Sequence, residues 1–298
     1  MKILKVNKPS DYSSYIGVID RHPLISVIEY DRISPVFTTL NDYKVYGIFL
    51  RGDNLVDLTY GCGLYDYKEG TLLAVAPGQL GGTEDNGEKV NLSGWALLFH
   101  PDLLHGSSLE KRIDSYTFFD YSLNEALHMT EEERDIIIGL MRSIETEINK
   151  PTDSHQDNII VNYIELMLNF CQRFYDRQFL TRKLENTNIL SRFHEVLKDY
   201  YSSELQMMHG IPTLQYIAER LCLSPSYLGD LIKRTTGTNA SKYIQRMIVQ
   251  EAKNLLSSGK NISQTAYSLG FDYPQHFSRL FKREEGITPK EYLKYRKS

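Results

Sequence analysis

One segment near the end of the chain reads Pro274-Gln275-His276-Phe277-Ser278-Arg279-Leu280-Phe281-Lys282-Arg283. The same pattern of apolar and basic residues occurs 49 positions earlier, in Pro225, Leu228, Leu231, Lys233 and Arg234. In both copies the apolar residues recur at steps of three and four, which predicts a helix with one buried face. Proline opens each copy, where its missing N–H costs no hydrogen bond, and a glycine closes each one, at Gly237 and Gly286.

A second helix is predicted in front of each copy. Here the repeat has an offset of 48, and the matching residues are Ala218, Leu221 and Leu223 in the first unit and Ala266, Leu269 and Phe271 in the second. One additional residue in the later turn explains the change of offset. The small alanines allow the two helices of each pair to cross closely. The sequence therefore predicts two units of helix, tight turn and helix, an arrangement that places its second helix in the major groove of DNA.

The exposed face of each second helix carries the side chains predicted to read bases. Residues at i, i+3, i+4 and i+7 share one helical face. Glutamine can bond adenine and arginine can bond guanine through paired hydrogen bonds, each pair discriminating by roughly 1–3 kcal/mol. We therefore expect the second unit to read most of the sequence and the first unit mainly to position the protein. The predicted base-reading residues are Gln275, His276, Ser278 and Arg279 in the second unit and Ser226, Tyr227 and Asp230 in the first.

The predicted phosphate contacts are the basic pairs Lys233 and Arg234, and Lys282 and Arg283. An exposed polar helix face is, by itself, more often only a solvated surface. Here the whole unit occurs twice, and it does so in a basic part of the chain. Residues 191–298 carry 16 Lys+Arg and 10 Asp+Glu, whereas residues 1–190 carry 18 and 28. A basic half joined to an acidic half predicts that one half binds a polyanion and the other has a separate task.

Length and composition limit the class of protein. A chain of 298 residues with 41% hydrophobic and 24% charged residues predicts two globular domains and excludes disordered and fibrous classes. No segment approaches the roughly 18 apolar residues of a membrane span, and the first residues lack the apolar core of a signal peptide. The three cysteines, Cys62, Cys171 and Cys222, are far apart, which fits reduced thiols and a cytoplasmic location.

The first hundred residues read as short strands, and two helices follow. The predicted strands are Tyr15–Asp20, Leu24–Tyr30, Val45–Leu50, Leu55–Tyr60, Leu72–Ala76 and Trp95–Phe99. Close spacing of many short strands predicts an antiparallel sandwich or barrel. One helix starts at Thr130 and is closed by Pro151, and the other runs from about Gln156 to Phe179. The apolar stripe of the second helix either packs against its neighbours or forms a dimer seam, and the pattern does not decide between them.

Residues 190–298 resemble the AraC/XylS family of bacterial transcription regulators. The resemblance rests on Tyr243-Ile244-Gln245-Arg246 through Ala252-Lys253-Asn254-Leu255-Leu256, on Ile262–Gly270-Phe271, on the segment 274–283, and on Gly286-Ile287-Thr288-Pro289-Lys290-Glu291-Tyr292 with Tyr295-Arg296. It implies a seven-helix DNA-binding module in which one long helix, about Asn239–Leu256, joins the two helix-turn-helix units. Such a helix would hold the two recognition helices roughly one DNA turn, or about 34 Å, apart. On this helix Arg246 is either a brace between the two halves or a solvated side chain.

The resemblance also extends, less specifically, to the N-terminal part. It implies a multidomain protein in which residues 1–180 form a cupin-like antiparallel β-barrel with two dimerisation helices. Residues 181–189 would be a linker, and residues 190–298 an all-α module with two helix-turn-helix units. The partners implied are double-stranded promoter DNA, RNA polymerase and a second copy of the chain, with activation as the mode of regulation and no membrane.

An enzyme is not expected. Cupins that bind a metal carry an HxH pair with a nearby glutamate, whereas the histidines of this region are isolated. These histidines are His22, His100, His105, His128 and His155. The chain also lacks the signatures of nucleotide-binding loops, serine hydrolases and zinc proteases, so that no cofactor is predicted. Cys62 has no evident catalytic partner and is interpreted as a small loop or strand residue.

A small-molecule effector inside the barrel is the remaining expectation for the N-terminal domain. Trp95, Tyr46 and Phe49 lie in predicted strands and are candidate effector contacts, with core packing as the alternative role. The sequence thus predicts a DNA-binding transcription regulator of the AraC/XylS type that responds to a ligand and activates. Two alternatives stay open, in which the DNA-binding module carries either a cupin-type enzyme or a dimerisation module without a ligand.

Overall fold

The computed structural model describes residues 3–52, 70–83, 85–122, 125–181 and 183–295. The chain divides into two compact units, Met1–Gln178 and Phe179–Ser298. The first contains the β-sheets and the second is helical. None of the helices within the described ranges is both long and apolar enough to cross a membrane.

The N-terminal unit contains three sheets among its described residues. The strands are β1 (Ile3–Val6), β2 (Ile25–Glu29), β3 (Val36–Phe37), β4 (Leu40–Tyr43), β5 (Tyr46–Arg51), β6 (Thr71–Val75), β7 (Leu80–Gly82), β8 (Lys89–Val90), β9 (Gly94–Phe99) and β10 (Leu127–His128). The largest sheet is antiparallel and has the order β10-β6-β5-β9-β2. A second sheet has the order β1-β4-β7, in which β1 and β4 are parallel, and β3 pairs with β8. These ladders do not close into a barrel within the described residues.

Strand alternation divides the side chains of the large sheet between two faces. Leu98 of β9 and Ile28 of β2 face a core that also contains Val6 of β1 and Tyr43 of β4. Residues from the two larger sheets therefore bury one another, at roughly 25 cal/mol for each Å² of apolar surface removed from water. Trp95, three residues before Leu98 in β9, faces the other way.

Four of the six predicted strands are confirmed as β2, β5, β6 and β9. The strand predicted over Tyr15–Asp20 is wrong, because Tyr15 ends the helix α1 (Pro9–Tyr15). The Asp11 carboxylate accepts the backbone N–H of Lys8 at 3.0 Å, and Pro9 opens this helix, so local capping outweighs the strand preference of the aromatic residues. The strand predicted over Leu55–Tyr60, and Cys62, lie outside the described residues.

The two helices predicted after the strands are confirmed. The helix α2 (Glu131–Ile148) begins at Thr130, whose hydroxyl accepts the N–H of Glu133 while the Glu133 carboxylate accepts the N–H of Thr130. The helix α3 (Gln156–Thr181) buries most of the stripe that the sequence left open between packing and a dimer seam, while Tyr163 and Phe170 of that stripe are half-buried. Its buried residues include Ile160, Ile164, Met167, Cys171 and Phe174.

The C-terminal unit is a bundle of helices, two of which are long. The helices are α4 (Lys183–Ser202), α5 (Gln206–His209), α6 (Leu214–Leu221), α7 (Pro225–Thr236), α8 (Ala240–Ser257), α9 (Ile262–Ser268), α10 (Pro274–Glu285) and α11 (Pro289–Tyr295). Ile244, Ile248 and Ala252 of α8 are buried in the core of this unit. This core also contains Leu228 of α7 and Phe281 of α10. The helix α8 therefore contacts both helix-turn-helix pairs.

The polar linker predicted over residues 181–189 is instead largely helical. Thr181 is the last residue of α3 and Lys183 the first of α4. The segment contains no glycine or proline that would interrupt a helix. Ile189 and Leu190 pack against the core of the C-terminal unit, so burial supports the helix where the polar composition suggested a linker.

Candidate functional site

Each half of the C-terminal unit contains two helices joined by a tight turn, as the repeat predicts. In the first half α6 leads into α7, and in the second half α9 leads into α10. Ala218 of α6 and Ala266 of α9 are fully buried, which fits the close crossing expected from their small size. The apolar face of α10, formed by Phe277, Leu280 and Phe281, is buried.

The two turns have the same backbone conformation at equivalent positions. Cys222 has a φ of 57° and Gly270 a φ of 86°, both in the left-handed region. At Gly270 a Cβ atom would lie 2.6 Å from the backbone carbonyl of Gly210, so the second turn packs directly on the backbone after α5. The hydroxyl of Tyr200 donates to the same Gly210 carbonyl oxygen at 2.9 Å. This contact fixes the turn of the second unit against the loop that precedes the first.

The second helices of the two helix-turn-helix units, α7 and α10, begin and end in similar ways. Ser224 caps α7 by accepting the backbone N–H of Tyr227 at 3.1 Å, and proline follows at the first helical position of both helices. Both helices end at a glycine in the left-handed region, Gly237 and Gly286. The basic pairs predicted to contact phosphate fall in the last turn of each helix, where positive charge stabilises the helix dipole.

The predicted base-reading face of α10 lies on the protein surface. Gln275, His276 and Arg279 are exposed. Ser278 is half-buried, and its hydroxyl donates to the backbone carbonyl of Pro274 at 2.9 Å. The ring of His276 lies 5.4 Å from that of the exposed Tyr273. This face therefore offers one amide, one guanidinium and one imidazole to an approaching duplex.

The corresponding face of α7 is more enclosed. Ser226 and Asp230 are half-buried. Tyr227 is only 7% exposed, and its ring packs at 5.1 Å on that of Phe179. A base contact by Tyr227 requires the ring to leave this packing, so α7 has fewer side chains ready for base edges than α10. The base-reading roles in both helices stay predictions.

The four predicted phosphate contacts differ in their surroundings. Lys233 and Lys282 are exposed. Arg234 is half-buried, and its guanidinium lies 6.0 Å from the centre of the Phe179 ring. Arg283 is exposed and donates to the side-chain oxygen of Gln245 at 2.7 Å. The lysines are thus open to solvent, while each arginine also contacts another side chain of its own unit.

Arg246 of α8 contacts both halves of the unit. Its Nη1 donates to the hydroxyl of Thr238, just after α7, at 3.1 Å. Its Nε lies 3.8 Å from Oε2 of Glu284 in α10. About two turns further along α8, the ammonium of Lys253 lies 2.6 Å from the Glu285 carboxylate. The sequence left Arg246 open between a brace and a solvated residue, and it missed Glu284, Glu285 and Lys253. The signal that could have identified these pairs is the spacing of Arg246 and Lys253, seven residues apart on one helix, together with the adjacent glutamates at 284 and 285.

Comparisons with known proteins agree with this geometry. The family model described as a helix-turn-helix domain matches residues 217–295. The chain is 35% identical over 125 residues to the uncharacterized transcriptional regulatory protein YesN of Bacillus subtilis, a match that covers 41% of this chain and 32% of YesN. It is 38% identical over 76 residues to the HTH-type transcriptional activator RhaS of Escherichia fergusonii, covering 25% of this chain and 27% of RhaS. Residues 217–295 are an AraC-type helix-turn-helix domain.

The family model covers residues 217–295 of this chain. The chain spans about a third of the length of YesN and about a quarter of that of RhaS. Among solved structures, a DNA-binding transcriptional dual regulator from Escherichia coli K-12 is 27% identical, with 36% of this chain and 90% of that chain covered and a TM-score of 0.31. The residues matched by the family model run from within α6 to the end of α11.

The N-terminal unit encloses a cavity of about 120 Å³ between its sheets. Tyr12, Tyr30 and Tyr43 line it, and burial raises the pKa of each phenol above its ordinary value. The Tyr12 and Tyr30 hydroxyls are 2.8 Å apart, and the side-chain amide of Asn41 donates to the Tyr43 hydroxyl at 3.2 Å. These phenols are therefore neutral donors and acceptors in a largely apolar space.

The three predicted effector contacts divide between the two faces of the large sheet. Phe49 lines the cavity, with its ring 5.9 Å from that of Tyr43. Tyr46 instead stacks on Phe99 at 5.1 Å, outside the cavity lining. Trp95 lies under the guanidinium of Arg142 from α2, at 5.5 Å. Strand alternation explains this division, because Tyr46 and Phe49 are three residues apart in β5 and so face opposite ways. The roles of all three stay predictions.

The histidines of the N-terminal unit have individual polar neighbours. His22 Nε2 lies 3.0 Å from the Asp157 carboxylate, and His105 Nδ1 lies 2.8 Å from that of Glu110. Within the described ranges, no three side chains of the histidine, cysteine, aspartate and glutamate types come together as metal ligands.

Proposed function

We propose that this protein is a sequence-specific DNA-binding transcription regulator. The observation that supports the proposal is the in-register duplication of the helix-turn-helix unit, with Gln275 and Arg279 exposed on the second recognition helix. In this role α10 enters a major groove and pairs Arg279 with guanine and Gln275 with adenine. The first unit positions the protein through Lys233 and backbone amides near the start of α7, because Asp230 and the enclosed Tyr227 are poor partners for DNA.

The experiment that tests this function is a binding-site selection from random duplexes with the full chain. We expect a bipartite site whose two halves are separated by about one helical turn of DNA, or 10–10.5 base pairs. Selection without any enriched sequence, or enrichment of one half-site only, would contradict the proposal. An affinity for DNA that falls steeply with added salt is expected whether or not the protein reads sequence. It therefore does not by itself support sequence-specific recognition.

The proposal includes a ligand-responsive N-terminal unit, of cupin-like architecture, that acts in the cytoplasm. The cavity between the sheets supports it, since side-chain Oδ1 of Asn41 is buried there and has no hydrogen-bond partner among the described residues. A small molecule with an O–H or N–H group would supply that donor. Such an effector changes DNA binding only if its affinity differs between two arrangements of the protein.

The proposal also includes a homodimer that activates transcription through RNA polymerase. An apolar stripe on α3, which shares Tyr163 and Phe170 with the stripe predicted from the sequence, supports dimer formation. It consists of Ile159, Tyr163, Leu166 and Phe170 at steps of four, three and four, with Ile159 and Leu166 exposed. This spacing is typical of the seam between two packed helices. The name of the relative RhaS, an HTH-type transcriptional activator, supports activation rather than repression.

A further inference from the structure

The C-terminal unit has a groove that the predicted DNA contacts do not line. The groove has a volume of about 680 Å³ and lies between α4 and α5 on one side and α8 and α9 on the other. Leu197, Met207, Met247 and Leu255 make much of its wall apolar. Ligand sites in proteins are concave spaces of about this size, mostly apolar and with a few placed polar groups.

Two polar atoms in the wall of this groove are buried and have no hydrogen-bond partner within the described part of the chain. They are Oε1 of Gln206 and the hydroxyl of Tyr201. Gln206 is only 7% exposed. Burial raises the pKa of Tyr201 well above its ordinary value, so that its phenol keeps its proton and is able to donate. A buried polar group without a partner is rare in native proteins and needs an explanation.

The backbone between these two residues is in an unfavourable conformation. Glu204 has a φ of 56°, in the left-handed region that residues other than glycine seldom adopt. Its N–H donates to the carbonyl of Tyr201 at 3.2 Å, and the next N–H, of Leu205, donates to the carbonyl of Tyr200 at 3.2 Å. This turn holds Tyr201 and Gln206 in the wall of the groove. These two hydrogen bonds form the Schellman pattern that commonly ends a helix, so this turn is the C-terminal cap of α4.

We propose that the groove binds a small uncharged molecule with an amide head group on an apolar body. The amide oxygen would accept the Tyr201 hydroxyl and the amide N–H would donate to Gln206 Oε1, while the body packs between Met207 and Met247. A carboxylate has no proton for Gln206, and an ammonium ion has no acceptor for Tyr201. The charged side chains that line the groove have both signs, so they select neither an anion nor a cation. They are Lys198, Lys260, Glu204 and Glu251.

The position of the groove gives such a ligand a route to the DNA-binding helices. Met247 and Leu255 belong to α8, which contacts both helix-turn-helix pairs, and Leu269 follows α9. A molecule bound there contacts the helix that joins the two units. This site is separate from the cavity in the N-terminal unit, and binding to it does not depend on the proposed regulatory function.

The test uses hexanamide as the probe, with hexanoate as the charged control, on the full chain in solution. Nuclear magnetic resonance titration of the methionine methyl groups locates the probe, and we expect the Met207 and Met247 methyl signals to shift. Gln206→Leu and Tyr201→Phe should each weaken hexanamide binding about five- to tenfold, as expected for the loss of one buried hydrogen bond. Gln215→Leu, at an exposed glutamine on α6, should leave it unchanged.

Four results would overturn this proposal. One is the absence of hexanamide binding at millimolar concentrations. Another is binding that leaves the Met207 and Met247 signals unmoved, which does not depend on whether any variant folds. The third is equal binding of hexanamide and hexanoate by the unaltered protein. The fourth is equal hexanamide binding by folded Gln206→Leu, Tyr201→Phe and the unaltered protein. A merely structural role for both residues predicts this last result, because the variants then lose no contact with the ligand.

Discussion

Cys222 and Gly270 are equivalent residues, 48 positions apart, and both turns place them in the left-handed region, at φ of 57° and 86°. Only the second is glycine. The reason lies in the neighbours rather than in the turn itself, because the Cys222 side chain is exposed whereas the Gly270 Cα faces the backbone of Gly210. The same local conformation therefore tolerates a side chain in one unit and excludes it in the other.

Gly270→Ala should destabilise the C-terminal unit strongly. The new Cβ would meet the Gly210 carbonyl at 2.6 Å, so the two backbones must separate. Left-handed strain alone costs about 1–2 kcal/mol for a residue other than glycine, and the collision adds to it. We expect a loss of about 2–4 kcal/mol in the free energy of unfolding, as for other severe backbone substitutions. Urea denaturation followed by circular dichroism measures it.

The matched control is Cys222→Ala, which keeps a Cβ in the equivalent turn. Because a side chain is already accommodated there, we expect its free energy of unfolding to change by less than about 0.5 kcal/mol, as is usual at exposed positions. A loss in Gly270→Ala no larger than the left-handed strain alone, about 1–2 kcal/mol, would show that the turn conformation, and not the contact with Gly210, makes glycine necessary.

The outcome for α7 illustrates what the sequence could not predict. Periodicity correctly assigned Leu228 and Leu231 to the buried face, because the spacing of apolar residues is a local property of one helix. The sequence also placed Tyr227 and Arg234 among the DNA contacts. Both instead pack on Phe179, which lies 48 residues before Tyr227 and 55 before Arg234. Contacts between residues so distant in sequence leave no periodic signal in either segment.

Arg279→Ala should relax the preference for one base in the selected site. Arginine bonds guanine through two parallel hydrogen bonds, and the pair discriminates by roughly 1–3 kcal/mol. Gln275→Ala should relax a different position, one turn of α10 away along the groove. Lys290→Ala, at an exposed lysine of α11, serves as the control and should leave the selected sequence unchanged. If the Arg279→Ala variant selects the same site with undiminished preference at every position, α10 does not read bases as proposed.

Removing the exposed lysines should flatten the salt dependence of DNA binding. Each phosphate contact contributes about 0.9 to the slope of log K against log salt for B-form DNA. We expect the Lys233→Ala/Lys282→Ala variant to lose a slope of about 2 and to bind all sequences more weakly. The Arg234→Ala/Arg283→Ala variant is the comparison, since these arginines already contact Phe179 and Gln245. An unchanged slope in the lysine variant contradicts their role at phosphates.

Leu166→Glu should dissociate the proposed homodimer. Leu166 is 44% exposed in the middle of the α3 stripe, so a charge there is tolerated in a monomer but would be buried without a partner in a dimer. Sedimentation equilibrium measures the change in mass. The control is Ile136→Glu, at a similarly exposed apolar residue of α2. A monomeric unaltered chain, or a dimer that withstands Leu166→Glu, would place the interface elsewhere or exclude it.

Arg246→Ala should lower affinity for the full bipartite site more than for a single half-site. Arg246 contacts Thr238 beside the first unit and Glu284 in the second, so its loss loosens the spacing of the two recognition helices. The ion pair itself contributes little, on the order of 0.2–1 kcal/mol, because the Arg246 side chain is 49% exposed and its distance to Glu284 is long. The measurable effect is therefore on DNA binding rather than on unfolding.

A double-mutant cycle with Glu284→Gln distinguishes a brace from a direct DNA contact. If Arg246 braces the two units through Glu284, the two substitutions weaken full-site binding by less together than the sum of their separate effects. If Arg246 instead binds a phosphate, Glu284→Gln strengthens DNA binding by removing a negative charge, and the effects add. Lys242→Ala, at an exposed lysine on the same helix, should show no coupling to Glu284. Additive effects would therefore assign Arg246 to the DNA surface and remove it from the connection between the two units.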